Sequence, residues 1–212
     1  MSKGTGIVAV GLWCLALMGC VGKGEVVQLN LHAVLPADTR KVSLPADTIV
    51  VVAEFEDGRS NRQRVGARVH QGGGETVFNV WNGRAGLVVA QVITDYLKKR
   101  GWQVELGTTR TGTAPDSGPH VMISGRVVEL AVDAKSAFGS TQIAASSRII
   151  VEAMNAEDGS LARMTLKGAA SQTVVVFDQD AAEHLLSAAL SESLEKFVLE
   201  TTVEKKILKL KP

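Results

Sequence analysis

Cys20 is the residue whose type and setting make the plainest chemical statement. It closes the quartet Leu17-Met18-Gly19-Cys20 behind an apolar run from Ile7 to Met18. A positive amino end with Lys3, an apolar stretch and a small residue before the cysteine read as an export signal over residues 1–19, cut so that Cys20 becomes a lipid-attachment site. A spanning helix needs about 20 apolar residues. The run falls short of that, and Gly22, Lys23 and Glu25 follow it closely. Cys14 lies inside the same run, but the bulky Trp13 before it does not suit a peptidase pocket that takes a small side chain. With residues 1–19 removed, Cys20 is the one remaining cysteine and is held as a thioether. No disulfide, thiolate metal site or cysteine nucleophile is then available.

The quartet resembles bacterial lipoprotein signals, with Met18 an uncommon residue at its place. The resemblance implies a diacylglyceryl group on the Cys20 sulfur, cleavage before it and acylation, as by palmitate, of the new amino terminus. Several buried acyl chains anchor firmly where one does not, because each buried methylene contributes about 0.8 kcal/mol. Val21 stands where an Asp would resemble an inner-membrane retention signal. The expected place is the outer membrane, on its periplasmic side.

A second constellation is the arginine group Arg59, Arg62, Arg64 and Arg68 in a glycine-bearing stretch that runs to Gly74. Guanidinium groups meet phosphates or carboxylates through paired hydrogen bonds, so this loop is a candidate partner-binding site. The plainer alternative is a solvated loop balanced by Glu54, Glu56 and Asp57. His32, His70, His120 and His184 are scattered, and Asp180 with His184 supplies only two groups of a metal set. Gly72-Gly73-Gly74-Glu75 lacks the following Lys-Ser/Thr of a phosphate cradle. Ser146, Ser147, Ser187, Ser191 and Ser193 fall in regular elements rather than on a strained turn. The reading is therefore non-catalytic, with no cofactor and no metal. Once Lys3 leaves with the signal, basic residues equal the 22 acidic ones, and aromatics make up only 4% of the chain. Neither suits nucleic-acid binding.

The elements that position these groups follow from periodicity. Residues 20–47 read as a lipidated tether and entry segment, with Val26, Leu29 and Leu31 able to form a short strand before Pro36 and Pro45. A single domain spans 48–200. It opens with Thr48–Ala53, a β-branched run read as a strand buried on both faces, and a brief apolar segment follows at Val77, Phe78 and Val80. A helix over about 84–100, capped by Asn82 or Gly83, carries the stripe Val89, Val92, Ile93, Tyr96 and Leu97, with Lys98, Lys99 and Arg100 in its last turn. A strand with Trp102, Val104 and Leu106 completes a strand–helix–strand unit, which suggests a right-handed crossover. After the Gly107–Pro119 linker, three long strands occupy about 120–135, 141–155 and 161–177, the latter two joined by Glu157-Asp158-Gly159-Ser160. A last helix from Asp178 buries Leu186, Ala189, Leu190, Leu194 and Phe197, leaving Glu183, Glu192, Glu195 and Lys196 wet. The tail, 201–212, reads as extended or helical. The fold class is α+β: a mixed, mostly antiparallel sheet with two main helices packed on one face, after a cleaved lipoprotein signal.

Asp57-Gly58-Arg59 with Val65-Gly66, and the stretch from Ile123 to Phe197 with Val127-Val128-Glu129-Leu130, are similar to the YajG-type family of small bacterial outer-membrane lipoproteins. The likeness covers about three quarters of the chain after the signal. It implies an outer-membrane-attached periplasmic domain with a mixed sheet and two helices, and this chain departs from it in a longer 59–83 loop and a longer tail. Two functions fit these features. One is a lipid-anchored adaptor or structural binding module that docks on an envelope protein through a sheet edge or the arginine loop. The other is an auxiliary lipoprotein of an envelope lipid or solute transporter, which would need a concave apolar pocket.

Overall fold

The computed structural model describes residues 24–36, 48–107 and 119–211. The signal, Cys20, the stretch 37–47 and the linker residues 108–118 lie outside them. Nine strands form one sheet: β1 (Val26–Leu29), β2 (Ile49–Val52), β3 (Glu56–Asp57), β4 (Gly66–Val69), β5 (Glu75–Val80), β6 (Gln103–Leu106), β7 (Val121–Ala137), β8 (Ser140–Asn155) and β9 (Leu161–Val174). Two helices, α1 (Ala85–Lys99) and α2 (Gln179–Glu200), and a hairpin of β10 (Thr201–Glu204) with β11 (Ile207–Leu210) complete the described fold.

The α+β class and the two main helices are present, but the sheet is not mostly antiparallel. Antiparallel pairing is confined to β4–β5 and the ribbon β7–β8–β9. In contrast, β1 with β5, β2 with β6, and each of β2, β3 and β4 with β7 run parallel. The cause lies in the connections. Antiparallel neighbours need only a short turn, whereas parallel neighbours need a long crossover. The chain from β2 to β4 travels along one flank of β7 in a single direction, and α1 carries it back to the far side of β2 as β6.

Local expectations need three further corrections. Val50 and Val52 of β2 are fully buried, but Ile49 and Val51 are only half-covered, so one face is core and the other is not. The stretch 59–74 is not all loop, because β4 lies within it. Asn82 and Gly83 do not cap α1: they sit in a 3-10 turn over Trp81–Gly83 with φ of 52° at Asn82, and Arg84 holds the N-cap place without a side-chain cap bond. Asp178 does cap α2, its Oδ1 accepting from the Ala181 N–H at 2.7 Å.

Each helix buries the stripe its periodicity announces, and all of these side chains join one core with the inward positions of β2, β7 and β8. The charges between the helices behave differently from expectation. Arg100 is turned inward with 2% of its surface exposed, and its Nη1 lies 3.2 Å from the Glu195 carboxylate. Glu195 therefore faces α1 rather than water, and Tyr96 donates a hydrogen bond to it. Burial, together with that bond, pushes the Tyr96 phenol up, so it stays protonated and remains a donor.

Small residues let α2 settle close to the sheet. The Ser147 hydroxyl of β8 donates to the Ala189 carbonyl at 3.0 Å, and a Cβ on Gly168 of β9 would stand 1.9 Å from that same oxygen. On its other side α2 is crossed by residues 30–36. The N–H groups of Asn30, His32 and Val34 donate to Glu183 at 2.8 Å, Ser187 at 3.1 Å and Ser191 at 2.9 Å. The tail turns back as the β10–β11 hairpin, where Asn155 exchanges hydrogen bonds with both the N–H and the carbonyl of Leu208. Replacing Gly168 by Ala should lower stability by about 1–3 kcal/mol through overpacking against the α2 backbone, read as an earlier urea midpoint, whereas Gly72→Ala, with open space around it, should cost less.

Candidate functional site

The arginine loop is an excursion from the flank of β7. β3 leaves that strand at Asp57↔Val127, with the Gly58 N–H donating to the Val127 carbonyl at 2.9 Å. The chain returns where the Val132 N–H donates to the Val65 carbonyl at 2.8 Å, and β4 rejoins β7 at Arg68↔Ala134. Between these points β7 carries a bulge, its register shifting between Val127 and Glu129, which breaks regular pairing under the loop. A cleft of about 220 Å³ lies there, lined by loop residues Arg59 to Gly66 in part and by Val128 to Asp133 in part.

The structure does not bring the four arginines together as one binding surface. Arg59 is 5% exposed and grips Asp57 with both Nε and Nη2 at 2.9 Å, while its Nη1 donates to the Arg64 carbonyl at 3.1 Å. It is the internal brace of the loop. Burial acts to raise the Asp57 carboxyl, but hydrogen bonds from Arg59 and the charges of Arg59 and Arg62 outweigh it and hold the group below its ordinary value. Arg64 pairs with Glu75, and Arg68 donates to Ser136 at 2.9 Å with its guanidinium 4.2 Å from the Phe177 ring centre. Arg62 is exposed on the outer bend. Ser60, Asn61, Arg62 and Gln63 are the exposed face of the described loop, and Arg64, though exposed as well, is held to Glu75.

Other sequence candidates find structural places. His70 shares a 2.8 Å hydrogen bond with Thr76, the His120 Nδ1 accepts from the Ile49 N–H at 3.0 Å, and His32 stands 6.2 Å from His184 between ring centres. Gly72 to Gly74 make the turn between β4 and β5, the Gly73 N–H donating to the His70 carbonyl. Ser187 and Ser191 receive the strap described above, and Ser193 donates to the Leu190 carbonyl at 2.7 Å. The signal for the strap was present as Glu183, Ser187 and Ser191, polar groups four apart on a buried helix. Two further clefts hold about 340 and 410 Å³; one is lined by charges such as Arg148, Lys167, Glu192 and Lys196, the other by Met164, Leu199, Leu210 and Lys211 among others. In the first, Glu192 accepts the Ala169 N–H, which, against a smaller effect of burial, lowers its carboxyl from the ordinary value.

No family model matches the chain, and no curated protein matches it. Among solved structures it is similar to a Xanthomonas campestris protein of the DUF330 family, at 13% identity and a TM-score of 0.49, over 82% of this chain and 92% of that one. It is also similar to PelC, a dodecamer from Paraburkholderia phytofirmans, at 14% identity and a TM-score of 0.40, over 73% and 93% of the two chains. Lipoprotein GNA1162 from Neisseria meningitidis matches at 9% identity and a TM-score of 0.37, over 68% and 96%. Likeness at these levels assigns no activity or partner to this chain, and none of the three is described as YajG-type.

Because Arg59 braces the loop and Arg62 does not, Arg59→Ala should cost about 3 kcal/mol by leaving Asp57 without its buried partner, while Arg62→Ala should stay within about 0.5 kcal/mol. Denaturant melts would separate them. The depressed Asp57 carboxyl adds a pH signature: its contribution is present above the unfolded value of about 4 and is lost as pH falls through the lower folded value. The acid-side decline should therefore be smaller in Arg59→Ala than in the parent protein.

Proposed function

We propose that this protein is a lipid-anchored lipoprotein of the bacterial envelope, held through Cys20 at the periplasmic side of the outer membrane, and that it works without catalysis as an adaptor or structural binding module. The observation that carries this reading is the quartet Leu17-Met18-Gly19-Cys20 behind its short apolar run. In agreement with it, no described helix is long and apolar enough to cross a membrane. Attachment by the cysteine lipid supplies the membrane contact such helices do not.

The adaptor role is favoured over lipid carriage by the character of the described interior. Residues of both helices and of the sheet close into one packed core, the clefts under the loop and beside α2 carry arginine, lysine and glutamate side chains, and the cleft of about 410 Å³ at Met164, Leu199 and Leu210 is bordered by Glu200 and Lys211. An acyl chain needs a concave apolar site. A protein partner needs a firm surface, and the outer bend at Ser60, Asn61 and Arg62 is held in shape from beneath by the Arg59–Asp57 pair.

In cells, Cys20→Ala should abolish acyl labelling and shift the protein out of the membrane fraction, and an inhibitor of the lipoprotein signal peptidase should make the parent chain accumulate uncut. A mature amino terminus at any residue other than an acylated Cys20 would refute the anchor. For the adaptor surface, in-cell crosslinking from position 62 should recover a neighbour that Arg62→Ser loses, with the fold unchanged by circular dichroism.

A further inference from the structure

Phe138 is 92% exposed, Val175 81% and Val176 79%, and they arise from two separate connections, the β7–β8 turn and the segment after β9. Their immediate neighbours, Ala137, Gly139, Val174 and Phe177, carry no charge. Water is a poor partner for such a tip.

Strand register shows which end of the molecule this is. The Gly24 N–H donates to the Glu75 carbonyl at 3.3 Å. Glu75 pairs with Val69, Val69 with Lys135, Lys135 with Gln142, and Gln142 with Thr173. One row thus crosses the sheet from the start of the described chain to the last residues of β9. β1 leaves this row in the direction opposite to the one in which β7 and β9 approach it. Gly24, where the described chain begins, and the tip at Phe138 therefore lie at the same end. Phe138 stands three residues past the row, about 10 Å at strand rise. Cys20 is four residue steps before Gly24, a length that reaches at most about 14 Å when extended. The two lengths match, so a lipid on Cys20 brings the bilayer within reach of the tip.

We propose that Phe138, Val175 and Val176 enter the interfacial layer of the bilayer that holds the Cys20 lipid, as a second and non-covalent anchor that fixes how the domain stands on the membrane. This rests on the lipid-anchored reading of Cys20. Phe and Val suit the boundary between headgroups and acyl chains, where an apolar face sinks about 5–10 Å. Lys135, exposed on the row below the tip, then sits at the level of the phosphates. The opposite end, marked by the Met154↔Leu161 pair, is 13 register steps along β8 from the Thr141↔Val174 pair, or about 44 Å away.

The test uses the full lipidated chain, purified from membranes in detergent and placed in vesicles of phosphatidylethanolamine and phosphatidylglycerol. The thioether blocks Cys20, so Phe138→Cys, Val176→Cys and Leu161→Cys each offer one thiol for an environment-sensitive fluorophore. Probes at 138 and 176 should shift to the blue and lose emission to shallow doxyl-labelled lipid, while the probe at 161 should behave as in water. If intact mass shows acyl groups on Cys20 and the probe at 138 responds no more than the one at 161, the second anchor is wrong and the lipid anchor stands. A blue shift without doxyl quenching would mean that another copy of the chain covers the tip, which also overturns the proposal. An unacylated Cys20 removes both.

Discussion

The seat of α2 on β8 and β9 is the contact on which the rest of the molecule depends. A helix backbone comes this near to a sheet only where the side chains between them are very small, and Ser147, Gly168 and Ala189 meet that need. Once α2 is seated, its long row of leucines covers the inward face of the ribbon, and Phe197 reaches Trp102 beside the end of α1, 6.1 Å between ring centres. α1 is then held from below by β6 and from the side by the Tyr96–Glu195–Arg100 contacts. Two helices and a mixed sheet thereby share one core.

The same helix explains the entry segment. Residues 30–36 have no strand partner among the described residues, so their backbone donors need acceptors elsewhere. Glu183, Ser187 and Ser191, spaced one turn apart, supply them, and Lys99 of α1 donates to the Ala33 carbonyl at 2.7 Å. α2 is covered on both sides for this reason, which is why a helix with so many serines belongs to the interior. The strap thereby ties the amino-terminal part of the described chain to both helices.

Charge in this protein mostly serves shape. Arg59 organises a loop, Arg68 packs on Phe177, and Arg100 joins two helices. A guanidinium can do this because its planar fork satisfies a carboxylate and a carbonyl at once while staying ionised. Among the described residues, the bend at Arg62 and the apolar side chains of Phe138, Val175 and Val176 stay open to outside contact.

By itself the sequence determined both helices with their buried stripes, the three long strands and the turn at Glu157–Ser160, because each depends on the period or chemistry of neighbouring residues. It also determined that arginines gather after Asp57, but not what they do. Whether Arg59 faces a partner or Asp57 depends on β7 passing beneath the loop, some seventy residues further along the chain. The parallel run of β2, β3 and β4 along β7 was likewise settled only in three dimensions, since they acquire their common neighbour from a distant segment whose direction no local pattern encodes, whereas the parallel β2–β6 pair follows from the strand–helix–strand order. The inward turn of Arg100 and Glu195 and the strap on Ser187 and Ser191 have the same origin. Helix periodicity marks an apolar face, but a polar residue beside that face is wet or buried according to what the rest of the chain lays over it.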